Sequence, residues 1–262
     1  MSLGLHLLTT FLLAAAPAAP PERVVVISID ALHPKALTPA TMPNVARLAR
    51  LGKVTLEGHS TRPPKTLIAH TAMLTGLTPE KSGKTDNAWE EGQPTVAFPT
   101  VLDDAKAAGY RTALFYSKEK LGFLVTRGVD QPALVPDDGV VRARAFLAPP
   151  GRAFLFLHLS GLEFTGMESG WMSAPYLAKA TEIDRALGPL VADLERRGSF
   201  FLVITSDHAG HDLEHGTEHP EDGRLPLVVR SDRTLLPDIQ GRPYEITGLR
   251  AILAPVLIGG RR

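Results

Sequence analysis

The run Arg23 to Asp30, RVVVISID, is apolar at almost every position and rich in β-branched side chains. That is the pattern of a strand buried on both faces in a parallel sheet. Ala153 to Ser160 and Phe200 to Ser206 repeat the pattern, and Val54 to Gly58, Arg111 to Tyr116 and Leu225 to Arg230 read as further strands. Between them the apolar period lengthens to that of a helix over Thr41 to Leu51, Thr66 to Thr75, Phe98 to Ala108, Pro175 to Arg197 and Ile246 to Ile258. In the longest, Ala180, Ile183, Leu187, Leu190, Val191 and Leu194 share one face. Thr41 reads as an N-cap with Pro43 in the first turn, and Gly52, Gly76, Gly109 and Gly198 mark helix ends. Pro189 predicts a bend in the long helix, and Pro255 an interruption in the last. Gly128 to Gly139, rich in Pro, Gly and Asp, reads as a loop. Strands alternating with helices predict an α/β fold, a three-layer α/β/α sandwich around a mostly parallel central sheet, in a single domain over residues 19–262.

Before the first strand, Leu3 to Ala16 is an apolar run too short to span a bilayer, which takes about 20 residues. It reads as the hydrophobic region of a secretory signal covering residues 1–18, with Ala16-Pro17-Ala18 as the cleavage site. The expectation is a periplasmic or secreted protein with no transmembrane anchor after cleavage. Lys+Arg and Asp+Glu are equal at 28 each, so no global field draws the chain to nucleic acid or an anionic membrane. Cysteine is absent, which excludes disulfides, thiolate nucleophiles and thiolate-bound metal.

Polar residues gather where the apolar strands end. Asp30 closes the first, Glu163 follows the strand that ends near Ser160, and Asp207 and His208 follow the strand that ends at Ser206. In sheets of this kind ligands bind outside the carboxyl ends of the strands. Carboxylates brought together there repel and call for a cation. Carboxylate and imidazole without thiolate suit zinc, manganese or iron, and carboxylate with water alone suits magnesium; the expectation is one or two divalent ions, zinc foremost, with manganese or magnesium as alternatives. Four histidines, His208, His211, His215 and His219, crowd the stretch after the last of these strands. Thr66 opens a predicted helix, where the first-turn amides and the helix dipole favour an alkoxide or a bound phosphoryl group. Taken singly, Asp30 is explained as a cap, the histidines as loop polar groups and Thr66 as an N-cap; joint placement gives them weight.

VVVISIDALHP, TMPNVARLARLG, KTLIAHTAMLTGLTPEKSG and TSDHAGHDLEHGTEHPED, in that order, resemble the alkaline phosphatase superfamily, and within it the nucleotide pyrophosphatase/phosphodiesterase branch. The resemblance implies an alkaline-phosphatase-like fold and a metal-dependent hydrolase of phosphate esters. It places a first metal on Asp30, Thr66, Asp207 and His208, with Thr66 as the covalent nucleophile, and a second metal at Glu163 and His215. Lys65 and Asn87 are expected to bind substrate, a small-molecule phosphate ester, with Trp89 lining the pocket. Three positions depart from the family pattern. Glu163 stands for Asp, Met167 for a His ligand, and Ala69 for the Asn that follows the nucleophile. A thioether suits a hard or borderline dication poorly. Neighbouring Glu168 is a substitute ligand to test. The departures define an alternative, a catalytically weakened relative that binds a phosphorylated ligand or partner. Sulfatases share the scaffold but use a modified Cys or Ser where this chain has Thr66.

Overall fold

The computed structural model describes residues 19–232 and 236–259; the predicted signal, residues 1–18, lies outside them. In chain order the main elements are β1 (Arg23–Ile29), α1 (Pro43–Leu51), β2 (Lys53–His59), α2 (Thr66–Thr75), α3 (Pro79–Ser82), α4 (Val101–Ala107), β3 (Arg111–Tyr116) and β4 (Gln131–Leu134). There follow α5 (Gly139–Leu147), β5 (Ala153–Leu159), α6 (Leu162–Ser169), α7 (Ala174–Arg197), β6 (Phe200–Thr205), β7 (Arg224–Ser231), β8 (Tyr244–Glu245) and α8 (Leu249–Leu257).

Among the described residues eight strands form one sheet in the order β4-β3-β5-β1-β6-β7-β2-β8. β1 sits near the centre, parallel to β5 on one side and β6 on the other. Only β7 runs against the rest. Because side chains alternate along a strand, the two faces of β1 feed two cores. Val25, Ile27 and Ile29 join Leu48 of α1, Phe146 of α5 and Ile183, Leu187 and Leu190 of α7. Val24 and Val26 join Leu67 and Met73 of α2, Leu102 of α4 and Leu253 of α8. The predicted three-layer α/β/α sandwich is the architecture found.

Several elements differ from the periodic reading. The stretch 128–139 is not all loop: Gln131–Leu134 pairs parallel with β3 as the sheet edge. Pro132 is tolerated there because the outer side of an edge strand needs no ladder donor. Helices α5 and α6 carry no clear helical stripe in sequence, and packing against the sheet and α7 makes them helical. Both α7 and α8 continue past their internal prolines. The residue capping α1 is Met42, not Thr41, and it supplies no side-chain bond. The cap comes instead from α7. Buried Asp184 accepts from the backbone N–H of Asn44 at 3.0 Å and of Val45 at 2.9 Å, and from Asn44 Nδ2 at 2.9 Å. This is an N-cap made in tertiary structure, at the end of the helix where a negative charge is favoured.

Replacing Asp184 by Ala removes these acceptors and leaves buried donors unpaired, with an expected loss of about 2–3 kcal/mol in stability. Urea unfolding of Asp184→Ala measures it, and a shift below about 0.5 kcal/mol, the range of a neutral surface change, contradicts the assignment.

Candidate active site

β1, β5 and β6 lie side by side in one register, so the residues after their carboxyl ends emerge together. Asp30 follows β1 directly and is fully buried. The next residue, Ala31, has φ +60°, a left-handed conformation that costs an L-residue about 1–2 kcal/mol. Three bonds hold the turn in place. The Ala31 N–H donates to Asp207 Oδ1 at 3.1 Å, the Tyr176 hydroxyl donates to Ala31 O at 2.6 Å, and Leu32 N–H donates to Ser206 Oγ at 2.9 Å. Ser206 Oγ in turn donates to His208 O at 2.7 Å. The ends of β1 and β6 are thereby locked as one unit.

Within that unit three ligand atoms converge. His208 Nε2 lies 3.5 Å from Asp30 Oδ1 and 3.5 Å from Asp207 Oδ2. All three atoms are buried without a hydrogen-bond partner. Unpaired buried polar atoms are costly, and three facing each other mark the place of a cation. This donor set fits a divalent metal, and Asp30, Asp207 and His208 are the residues that would hold it. The proton on His208 is held by the same groups: burial opposes it, but the Asp207 and Asp30 carboxylates raise its pKa. Proton and metal compete for that nitrogen.

Thr66 is the first residue of α2 and is fully buried. Two contacts tie it to the cluster. Its carbonyl lies 2.7 Å from His70 Nδ1, which is 3.5 Å from Asp207 Oδ2, and its Oγ1 accepts from Lys118 Nζ at 3.3 Å. Lys118, just beyond β3, also pairs with Asp30 Oδ2 at 2.6 Å and with Glu163 Oε2. His158, from β5, places Nε2 2.9 Å from Asp30 Oδ2 and Nδ1 2.8 Å from Ser117 Oγ. Burial alone would raise the Asp30 carboxyl, but Lys118, His158 and His208 hold it well below the usual carboxylate range. Glu163 is likewise lowered, against burial and the Asp30 charge, to about 2 by His215 and Lys118. The Lys118 ammonium is raised by Asp30 and Glu163 despite its burial.

The second expected metal group is only partly assembled. His215 Nε2 lies 3.1 Å from Glu163 Oε1, and the His215 ring stacks on His208 with centroids 4.5 Å apart. Met167 is 40% exposed on α6, and Glu168 is also exposed. His211 and His219 stack on each other beside Asp222, as a separate group. The loop carrying His215 rests on Trp171, and a Cβ on Gly210 would come within 2.4 Å of that indole, so only glycine fits. Lys65 packs its stem against Gly216. Asn87 Oδ1 accepts from Leu67 N–H at 2.8 Å and so caps the start of α2 next to Thr66. Trp89 packs over Gly122 and donates its indole N–H to Pro94 O, which is a packing role.

Residues 24–127 match the type I phosphodiesterase / nucleotide pyrophosphatase family. The fold is similar to that of murine ectonucleotide pyrophosphatase/phosphodiesterase 5. The structure of an inactive variant in complex with AMP gives a TM-score of 0.73 at 13% identity, covering 92% of this chain and 96% of that one. The chain is therefore similar to the alkaline phosphatase superfamily in fold, and to its phosphodiesterase family in sequence over residues 24–127. A putative sulfatase from Bacteroides thetaiotaomicron shares the superfamily fold with a TM-score of 0.70 at 13% identity, over 93% of this chain and 76% of that one. In sequence, the GPI ethanolamine phosphate transferase 1 proteins of Neurospora crassa and Aspergillus oryzae are 37% and 38% identical over 78 residues, 28% of this chain. The matched segment spans only 8% of the length of these curated relatives.

Against the superfamily pattern, the structure brings Asp30, Asp207, His208, Glu163 and His215 within one cluster with Thr66 at its edge. Lys118 and His158 are cluster members that the motif reading passed over. Both were findable: Lys118 stands just past a strand's carboxyl end, as Asp30 and Asp207 do, and His158 is the polar residue in AFLFLHL.

Buried His70 is pushed down to about 4 from an ordinary 6.5, first by burial, with nearby Asp207 opposing. Below pH 6.5 the unfolded chain takes up a proton that the folded chain refuses until about 4. Stability of the metal-free protein therefore falls as pH drops through that window, by on the order of 3 kcal/mol from this group. His70→Gln is expected to flatten the decline measured by urea unfolding at stepped pH; an unaltered slope in the variant rules the assignment out.

Proposed function

We propose that the chain is a metal-dependent hydrolase of phosphate esters, acting on phosphodiesters or phosphomonoesters through a phospho-threonine at Thr66. The convergence of Asp30 Oδ1, Asp207 Oδ2 and His208 Nε2, buried and unpartnered beside the Thr66 helix start, carries this reading. A divalent ion held by these residues and Thr66, zinc foremost with manganese or magnesium as alternatives, supplies Lewis acidity that lowers the pKa of the threonine hydroxyl.

The chain's own groups then account for the rest. Thr66 Oγ1 attacks phosphorus in line, the bond to the leaving oxygen breaks, and the phosphoryl group is carried on Thr66. The first-turn amides of α2 and its dipole favour the negative charge that develops there. Lys65 is assigned a non-bridging oxygen, and the Nδ2 group of Asn87 a substrate contact. Water then releases the phosphoryl group from Thr66. An alcohol in place of water would make the second half-reaction a transfer, the chemistry named in the ethanolamine phosphate transferases matched in sequence. The AMP complex of the murine structural neighbour supports a phosphate ester as substrate. The apolar segment at residues 3–16 supports export to the periplasm or medium. Among the described residues no helix is long and apolar enough to cross a membrane.

Hydrolysis of an aryl phosphate ester with added Zn²⁺ or Mn²⁺ tests the proposal. Thr66→Ala is expected to lower turnover roughly 10³-fold or more, and a chelator to abolish it. Quenched wild-type protein should carry one phosphoryl group on Thr66 by peptide mass analysis. Absence of turnover with any divalent metal between acid and alkaline pH would sink the reading.

A further inference from the structure

The second metal position of this site is already filled by protein. Glu163, His208 and His215 offer atoms close enough for an ion, but Glu163 has no oxygen to spare. Its Oε1 faces His215 Nε2 at 3.1 Å, and its Oε2 takes the Lys118 ammonium. The other oxygen that would lean toward a second ion, Asp30 Oδ2, is shared between Lys118 at 2.6 Å and His158 at 2.9 Å. The third expected ligand, beside Glu163 and His215, falls on Met167, a soft thioether turned partly to solvent on α6. Asp207 Oδ1 is bound to the Ala31 N–H. Among the described cluster residues, the buried atoms left without a hydrogen-bond partner are His215 Nδ1 and one grouped set: Asp30 Oδ1, Asp207 Oδ2 and His208 Nε2.

We propose that the site takes a single divalent ion, and that the Lys118 ammonium stands where a second ion would be needed. Charge supports it. One dication and one ammonium carry three positive charges, which match the three carboxylates Asp30, Asp207 and Glu163. A second dication would add two charges within a few ångströms of a buried ammonium and displace its ion pairs. Position supports it too. Lys118 Nζ donates to Thr66 Oγ1 at 3.3 Å, so a fixed positive charge faces the nucleophile from the Glu163 side. In the reaction proposed above it stabilises the oxygen that attacks and the charge that gathers around phosphorus, with no second metal needed. The inference rests on the reading of the cluster as a metal site, and its test does not depend on turnover.

The measurement is zinc content, by equilibrium dialysis with elemental analysis of the full chain. His219→Ala is included throughout, so that the surface histidine pair does not add to the count. We expect one equivalent per chain in this background and none when Asp207→Asn is added, which locates the ion. Lys118→Met is expected to admit a second equivalent, because it frees Glu163 and Asp30 Oδ2 and removes the repelling charge. Two equivalents with Lys118 intact, or one equivalent in a folded Lys118→Met protein, overturns the proposal. Should Lys118→Met fail to fold by circular dichroism, Lys118→Gln takes its place, and the count with Lys118 intact still decides between one ion and two. Turnover, read separately, should fall about 10²–10³-fold in the Lys118 variants, the usual loss for one charge-stabilising donor. One zinc without turnover of any ester would refute the hydrolase reading and leave this one standing; two zincs with turnover would do the reverse.

Discussion

Asp30, Asp207 and Glu163 meet in a space almost closed to water, and the arrangement around them answers the repulsion of those three carboxylates. Charges a few ångströms apart in a poorly solvated interior repel by several kcal/mol unless cations intervene. Lys118 supplies one cation from within the chain, pairing with Asp30 and Glu163. The imidazoles of His158 and His215 cover two more oxygen faces. After these contacts, the carboxylate oxygens still buried and unpartnered among the described cluster residues are Asp30 Oδ1 and Asp207 Oδ2, both facing His208 Nε2. The protein is thus internally compensated on one side of the cluster and open to an ion on the other.

That division depends on a rigid frame. The parallel register of β5, β1 and β6 brings three chain ends to one edge, and the left-handed turn at Ala31 bends the chain so that Asp30 faces the cluster. The strain of that turn is offset by bonds from Tyr176, Asp207 and Ser206, which tie α7 and the β6 end to the same point. Strain held by its surroundings at a functional edge is what a preorganised site requires. Trp171 supports the His215 loop from beneath, and Gly166 and Gly210 let its ring approach the backbone.

Likeness to the superfamily fold accounts for the scaffold but not for its use. The same fold occurs in a murine nucleotide pyrophosphatase/phosphodiesterase and in a putative bacterial sulfatase, each at 13% identity, so the fold tolerates nearly complete replacement of sequence. Chemistry in such folds is set by a few side chains at the strand ends. In this chain those positions combine Thr66 and the unpartnered atoms of Asp30, Asp207 and His208 with Glu163, Met167 and a buried lysine.

From the residues alone, the buried strands, the helices with a clear apolar stripe, the layer order and the strand-end positions of Asp30, Asp207, His208 and Thr66 could be read. Burial on both faces forces near-continuous apolar runs, and those runs end where the chemistry begins. Residues whose partners are distant in sequence were not legible. Asp184 caps α1 from 140 residues away, the edge strand at Gln131–Leu134 exists only because β3 offers it a ladder, and α5 and α6 are helical through packing rather than pattern. Lys118 illustrates the limit best. Its place after a strand is written in the sequence, but its role depends on lying 2.6 Å from Asp30, 3.3 Å from Thr66 and against Glu163. Periodicity fixes which face a residue occupies; only the packed sheet decides which charges share one buried space, because that follows from the order of strands rather than from any one of them.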